Sequence, residues 1–190
     1  MRPSTFATLL LAMAPRAALA QETVLSKPSN RVRTTTVGLE VDALPFISGG
    51  YYGSAWLGNK RVRLRGIVTQ TTLPSFLVED GFENADLDVY AVIADYIPRD
   101  GFRGLWVGAG IEYWRNTIDN EINGATAGWD NTVATLGAGY IWKFAGNFYL
   151  NPWAAAHLIV AGHTDVSVGG ASYNPKRFTP EASLKLGWHY

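Results

Sequence analysis

The sequence predicts an all-β protein, an up-and-down antiparallel β-barrel of eight strands, and three observations carry that expectation. Side chains alternate between apolar and polar along segment after segment of the chain, which is the period of a strand and not of a helix. Those segments are joined by turn-type residues and polar stretches in regular succession, as consecutive antiparallel strands require. The composition agrees: of 190 residues 47% are hydrophobic and 13% aromatic, and none is Cys. A chain so apolar is not disordered, and without Cys it has no disulfide framework, thiol nucleophile or Cys-based zinc site. Its formal net charge of zero argues against a nucleic-acid binder, which would carry a basic surplus.

The chain opens on a processing segment. Met1-Arg2 supplies a positive start, Phe6 to Ala14 an apolar stretch, and Ala18-Leu19-Ala20 a small-x-small cleavage site. Residues 1–20 therefore read as a secretory signal peptide, with cleavage before Gln21, and residues 21–190 as the barrel domain. No later apolar run reaches the ~18 residues of a membrane helix.

The strands then follow in order. The first is expected at about 33–46, with Val37, Leu39 and Val41 opposed to Gly38, Glu40 and Asp42. The second falls at about 49–57, and the third at about 60–72, where Val62, Leu64 and Val68 alternate with Arg61, Arg63 and Arg65. The fourth, about 87–97, leaves the facing of Asp95 open. The fifth, about 103–115, sets Leu105, Val107, Ala109, Ile111 and Tyr113 against Trp106, Gly108, Gly110, Glu112 and Trp114. In the sixth, about 129–144, Ala134, Leu136, Ala138, Tyr140 and Trp142 share a face, and the seventh, about 147–161, is apolar on both faces. Short turns at 58–60, 98–101 and 145–147 alternate with longer polar segments at 73–86, 117–128 and 162–177. That asymmetry fits turns facing one compartment and loops the other.

The last strand has the cleanest pattern. Phe178, Pro180, Ala182, Leu184, Leu186, Trp188 and Tyr190 occupy one face, and Thr179, Glu181, Ser183, Lys185, Gly187 and His189 the other. Ending on an aromatic residue, it resembles the C-terminal strand of bacterial outer-membrane β-barrels, whose last residue is typically Phe, Trp or Tyr. The resemblance implies a transmembrane β-barrel in the bacterial outer membrane, in contact with lipid and lipopolysaccharide. It further implies an assembly signal at Leu184, Leu186, Trp188 and Tyr190 that the barrel-assembly machinery reads. A monomer is expected, with no cofactor and no nucleic-acid partner.

In that setting the apolar parity faces lipid and the polar parity lines the lumen. Arginine on the lipid face costs ~2–4 kcal/mol at the midplane, so Arg61, Arg63 and Arg65 are expected inside. With them come Lys185 and the acids Glu40, Asp42, Glu112 and Glu181, a charge network that fills the lumen with ion pairs, Lys185 beside Glu40 or Asp42. The Gly108/Gly110 and Gly137/Gly139 pairs would make room for a long Arg or a Trp from across the lumen; neither has the context of a nucleotide loop.

Such a barrel has a structural role, or a surface-interaction role through its outer loops, and is not an enzyme. Two alternatives stand beside it. Some outer-membrane barrels modify lipid A, and His157, Ser183 and Glu181 are weak catalytic candidates for a Ser–His–acid set; the His-x-Ser-Asn pattern of lipid A deacylases is absent. The other is a soluble periplasmic barrel that binds a small ligand in an apolar interior. His163 and Asp165 supply two metal-ligand types without a third, so no metal site is expected. The 73–86 loop carries Glu79, Asp80, Glu83 and Asp86 with Phe76 and Phe82.

Overall fold

The computed structural model describes residues 35–75 and 78–190. The expected signal peptide, residues 21–34 and Phe76 lie outside them. Eight antiparallel strands close into a barrel: β1 (Thr36–Asp42), β2 (Tyr51–Asn59), β3 (Val62–Thr72), β4 (Phe82–Tyr96), β5 (Gly104–Asn120), β6 (Thr126–Ala145), β7 (Phe148–Gly162) and, last in the chain, β10 (Phe178–His189). Sequence neighbours pair throughout, and β1 closes the ring against β10 with Glu40 opposite Gly187 and Asp42 opposite Lys185.

The barrel is inside-out. On β5 the outward side chains Leu105, Val107, Ile111 and Tyr113 are exposed, whereas Trp106 and Glu112 are buried. Beyond Tyr113 the outward parity turns polar at Arg115, Thr117 and Asp119. From Leu105 to Tyr113 the strand rises about 26 Å at ~3.3 Å per residue, or about 20 Å along the axis at ~40° tilt. Side chains at both ends extend this toward the ~25 Å apolar band of membrane barrels. Tyr96, Tyr140, Trp142, Phe148 and Trp188 crowd the outer surface near the short turns, the place of an interfacial aromatic girdle. Leu184, Leu186, Trp188 and Tyr190 all lie on this outer surface.

Four local departures from the sequence expectation have physical causes. β1 stops at Asp42, because its side chain accepts from the Leu44 N–H at 3.1 Å and caps a one-turn helix, α1 (Ala43–Ile47). Pro45 fits there, since first-turn N–H groups need no helical partner. β5 and β6 run past the expected loop at 117–128 and leave only residues 121–125 as a turn. The Asn120 carboxamide accepts from Ile122 N at 2.9 Å and closes that turn. β4 likewise begins early, at Phe82, through an irregularity between Glu83 and Asp86.

The fourth departure is a hairpin, β8 (Val166–Val168) and β9 (Ala171–Tyr173), inside the segment expected as a loop at 162–177. Gly169 and Gly170 form its turn at φ 59° and 90°, a pair of left-handed residues that glycine takes without steric cost. The hairpin buries Val166 and Val168 on Ile118, Trp129 and Ala85. Asn120 and Asn123 donate to the carbonyls of Val168 and Gly169 at 3.0 and 2.9 Å. The outer loops thus own a small core, distinct from the lumen.

Candidate functional site

The lumen is built in layers, beginning at the end with the short turns. There Trp56, Ile97, Phe102, Trp106, Ile141 and Tyr149 form a buried cluster. Glycines on neighbouring strands make it possible. A Cβ at Gly139 would lie 2.7 Å from Trp106 Nε1, and Trp106 is its register partner on β5. Asp95 similarly lies over its partner Gly108. The sequence reading placed a residue from across the lumen in this space; the structure fills it from the adjacent strand.

Above the aromatic layer sits the charge cluster. Arg63 donates to Asp95 Oδ2 at 2.6 Å and to Glu40 Oε1 at 2.9 Å. Arg65 grips Asp95 with two N–H groups, at 2.7 and 3.0 Å, and reaches Glu40 Oε2 at 3.7 Å. Glu40 Oε1 also accepts from Tyr149 Oη at 3.0 Å and Asn151 Nδ2 at 3.1 Å. Asn151 in turn accepts from Trp106 Nε1 at 2.8 Å. Both guanidinium groups lie over the Trp106 ring, 5.4 and 5.1 Å from its centroid. Two cations and two anions cancel, with side chains no more than 4% exposed; buried charge is tolerable on these terms.

Arg61 is a correction. It was expected in the lumen beside Arg63 and Arg65, but β3 begins only at Val62 and Arg61 belongs to the preceding turn. Its guanidinium is exposed and pairs with Asp100 of the next turn at 3.0 Å. That carboxylate raises the Arg61 pKa further above its already high ordinary value. Asp95, whose facing the sequence left open, replaces it as a lumen charge.

The middle layer contains Asp42, Lys185 and Ser183, and then His157 with two carboxylates. His157 Nε2 is 3.2 Å from Glu181 and Nδ1 is 3.5 Å from Glu112. Glu112 also accepts from Thr135 at 2.8 Å and Trp114 Nε1 at 2.6 Å. Ser183 is not part of this group. His157 stands opposite Thr179 and Ser183 opposite Trp153, four residues lower on β10, about 13 Å along the strand. The Ser183 hydroxyl donates to Asp42 instead. A Ser–His–acid relay requires direct hydrogen bonds, so the structure brings His157 and Glu181 together and leaves the nucleophile out.

Toward the loop end the charges on β4 cease, and those that remain in the lumen are Glu112, His157 and Glu181 on β5, β7 and β10. β4 turns Leu87, Val89, Ala91 and Ile93 inward, with Ile67 and Trp114 against them. They border a cavity of about 370 Å³ whose floor includes Arg65, Trp106 and Lys185. The expected side-chain-filled lumen is therefore filled only in its lower half. The lumen widens there because β4 presents aliphatic side chains on that face, and these do not bridge it as paired charges do.

In the loops, Asp165 accepts from Ser172 at 2.6 Å, and the His163 ring lies 3.4 Å from the Asp130 carbonyl. Among the described residues no group of three His, Asp or Glu side chains is arranged to hold a metal. Asp119 is outside the membrane band, and hydrogen bonds from Thr126 and Asn84 hold its carboxyl below the ordinary carboxylate value.

No protein-family model matches the chain, and no curated protein is detectably similar in sequence. Solved structures do resemble it. The N-terminal β-barrel domain of Pseudomonas aeruginosa OprF aligns over 83% of this chain and 98% of its own, at 17% identity and a TM-score of 0.55. Acinetobacter baumannii CarO aligns over 82% and 97%, at 15% identity and a TM-score of 0.45. The chain has the fold of a small bacterial outer-membrane β-barrel. In outer-membrane barrels the short turns face the periplasm and the long loops the exterior; here the charge cluster lies at the short-turn end and the cavity at the long-loop end.

Proposed function

We propose that the protein is a non-enzymatic outer-membrane barrel whose periplasmic half is closed to diffusing solutes, and whose exterior loops carry a surface-interaction role. The observation behind this reading is the Arg63–Arg65–Glu40–Asp95 cluster, seated on Trp56, Trp106 and Tyr149. An eight-stranded barrel has an interior only wide enough for side chains or one small ligand, and this cluster occupies it. The separation of Ser183 from His157 supports the non-enzymatic part. The loop core under the β8–β9 hairpin supports the surface role, because it gives the exterior a fixed shape. The proposed partners are membrane lipid and lipopolysaccharide around the band, and the assembly machinery at the Leu184–Tyr190 edge, with the barrel as a monomer.

Planar-bilayer recording tests the closed reading. Purified barrel is expected to give no stable conductance steps at neutral pH, and Arg63→Ala with Asp95→Ala to introduce them. Steady wild-type steps in many independent insertions would refute closure.

A further inference from the structure

Closing the barrel does not account for Lys185. Its side chain is 1% exposed and points inward from β10, yet it makes no hydrogen bond among the described residues. The nearest carboxylate oxygen, Asp42 Oδ2, is 4.0 Å away, outside hydrogen-bond range. Asp42 is already taken by neutral donors. Its Oδ1 accepts from Leu44 N at 3.1 Å and from the Ser183 hydroxyl, and its Oδ2 from Trp153 Nε1 at 2.7 Å. The ammonium lies instead over Trp153, 3.5 Å from the ring centroid, and 5.2 Å from that of Tyr52. The Tyr52 hydroxyl is buried and likewise has no partner among the described residues.

Both unsatisfied groups border the outward cavity. A buried donor without an acceptor is costly, and a buried charge more so. Its three N–H groups therefore call for an acceptor from within the cavity. We propose that this cavity binds a small amphipathic monocarboxylate from the exterior, its carboxylate on Lys185 and Tyr52 and its apolar body along β4. The wall at Leu87, Val89 and Ile93 is apolar, and about 370 Å³ lies within the size range of small-molecule sites. Glu112 and Glu181 line the same cavity and repel a second negative group, so the charge sits at one end of the ligand only. A neutral apolar molecule would fill the space and leave the ammonium bare. A cation would meet Lys185 and Arg65 on the floor.

The test uses the protein in lipid nanodiscs and 8,8,8-trifluorooctanoate as the probe, titrated by fluorine NMR against empty nanodiscs. The expected result is a saturable protein-dependent signal with one site per barrel. Lys185→Met is expected to weaken it more than tenfold, in line with a charge-assisted hydrogen bond. The uncharged analogue 8,8,8-trifluorooctan-1-ol is expected to bind at least tenfold more weakly than the carboxylate. Ala91→Trp keeps Lys185 but places an indole in the cavity, and is expected to abolish saturation. If Lys185→Met does not fold, the alcohol comparison and Ala91→Trp decide. Equal signals from loaded and empty nanodiscs, equal affinity for carboxylate and alcohol, or saturation unaffected by Lys185→Met or Ala91→Trp would each overturn the proposal.

Discussion

Replacing Asp95 with Ala removes the carboxylate that both lumen arginines share. Three short N–H···O contacts disappear together, at 2.6, 2.7 and 3.0 Å, and two buried guanidinium groups are left with Glu40 alone. Each such charge-assisted bond is worth ~1.5–3 kcal/mol, but the three share one acceptor group and do not add. Breaking a buried ion pair from one side costs about 3–5 kcal/mol. We expect about 4 kcal/mol, a factor of roughly 10³ in the unfolding equilibrium. With a urea slope of ~2 kcal/mol per molar, the midpoint should fall by about 2 M.

The assay is urea unfolding of the detergent- or lipid-reconstituted barrel, followed by tryptophan emission and by the gel shift between boiled and unboiled samples. Two comparisons make the result specific. Asp95→Asn with Arg65→Met removes one charge of each sign and should recover part of the loss, which a double-mutant cycle resolves. Arg61→Ala removes an exposed pair and should leave the midpoint unchanged, since solvated ion pairs contribute little. A wild-type midpoint for Asp95→Ala, or an Arg61→Ala loss matching that of Arg63→Ala, would refute the assignment of the buried charge cluster.

Two further outcomes follow from the exterior. Ala109 sits mid-band on the outward face of β5; Ala109→Arg should destabilise the barrel in lipid by ~2–4 kcal/mol, whereas Thr117→Arg, above the band, should shift the same unfolding curve little. Asn120 holds the β8–β9 hairpin through the Val168 carbonyl at 3.0 Å. Asn120→Ala should speed proteolytic cutting within 163–177 on intact cells and leave the boiled-versus-unboiled gel shift as in wild type.

The strand layout was legible because lipid and lumen make opposite demands on alternate residues. Along Phe178–His189 the period of two continues almost without exception. The arginines at 63 and 65 could be placed for the same reason: a guanidinium in the hydrocarbon is too costly to leave outside. Arg61 shows where the argument ends. Parity assigns a face only while the chain is a strand, and nothing in Lys60-Arg61-Val62 marks the exact residue at which the turn gives way. Nor does parity fix register. Ser183 and His157 share the lumen face, but pairing sets them at different heights, and that offset decides against a catalytic relay. The hairpin did leave a signal, Gly169-Gly170 between Val166-Ser167-Val168 and Ala171-Ser172-Tyr173. In a Gly- and Ser-rich stretch, three-residue strands are too short for alternation to stand out.

β4 explains both what the sequence withheld and why the lumen divides in two. Its parities are nearly matched in hydrophobicity, Val89, Ala91 and Ile93 against Tyr90, Val92 and Ala94, so alternation alone could not say which faces lipid. Pairing with β3 resolves it: Arg63 stands opposite Asp95, and the whole odd parity of β4 follows Asp95 inward. The consequence changes along the strand. At Asp95 the inward position supplies the countercharge for two arginines and closes the periplasmic half. From Ile93 to Leu87 the same face supplies only aliphatic surface, which neither spans the lumen nor satisfies polar groups. A strand that is apolar on both faces is usually buried on both. Here one face has lipid as its solvent, and the other packs against Ile67 and Trp114 along the wall of the cavity that has Lys185 at its base.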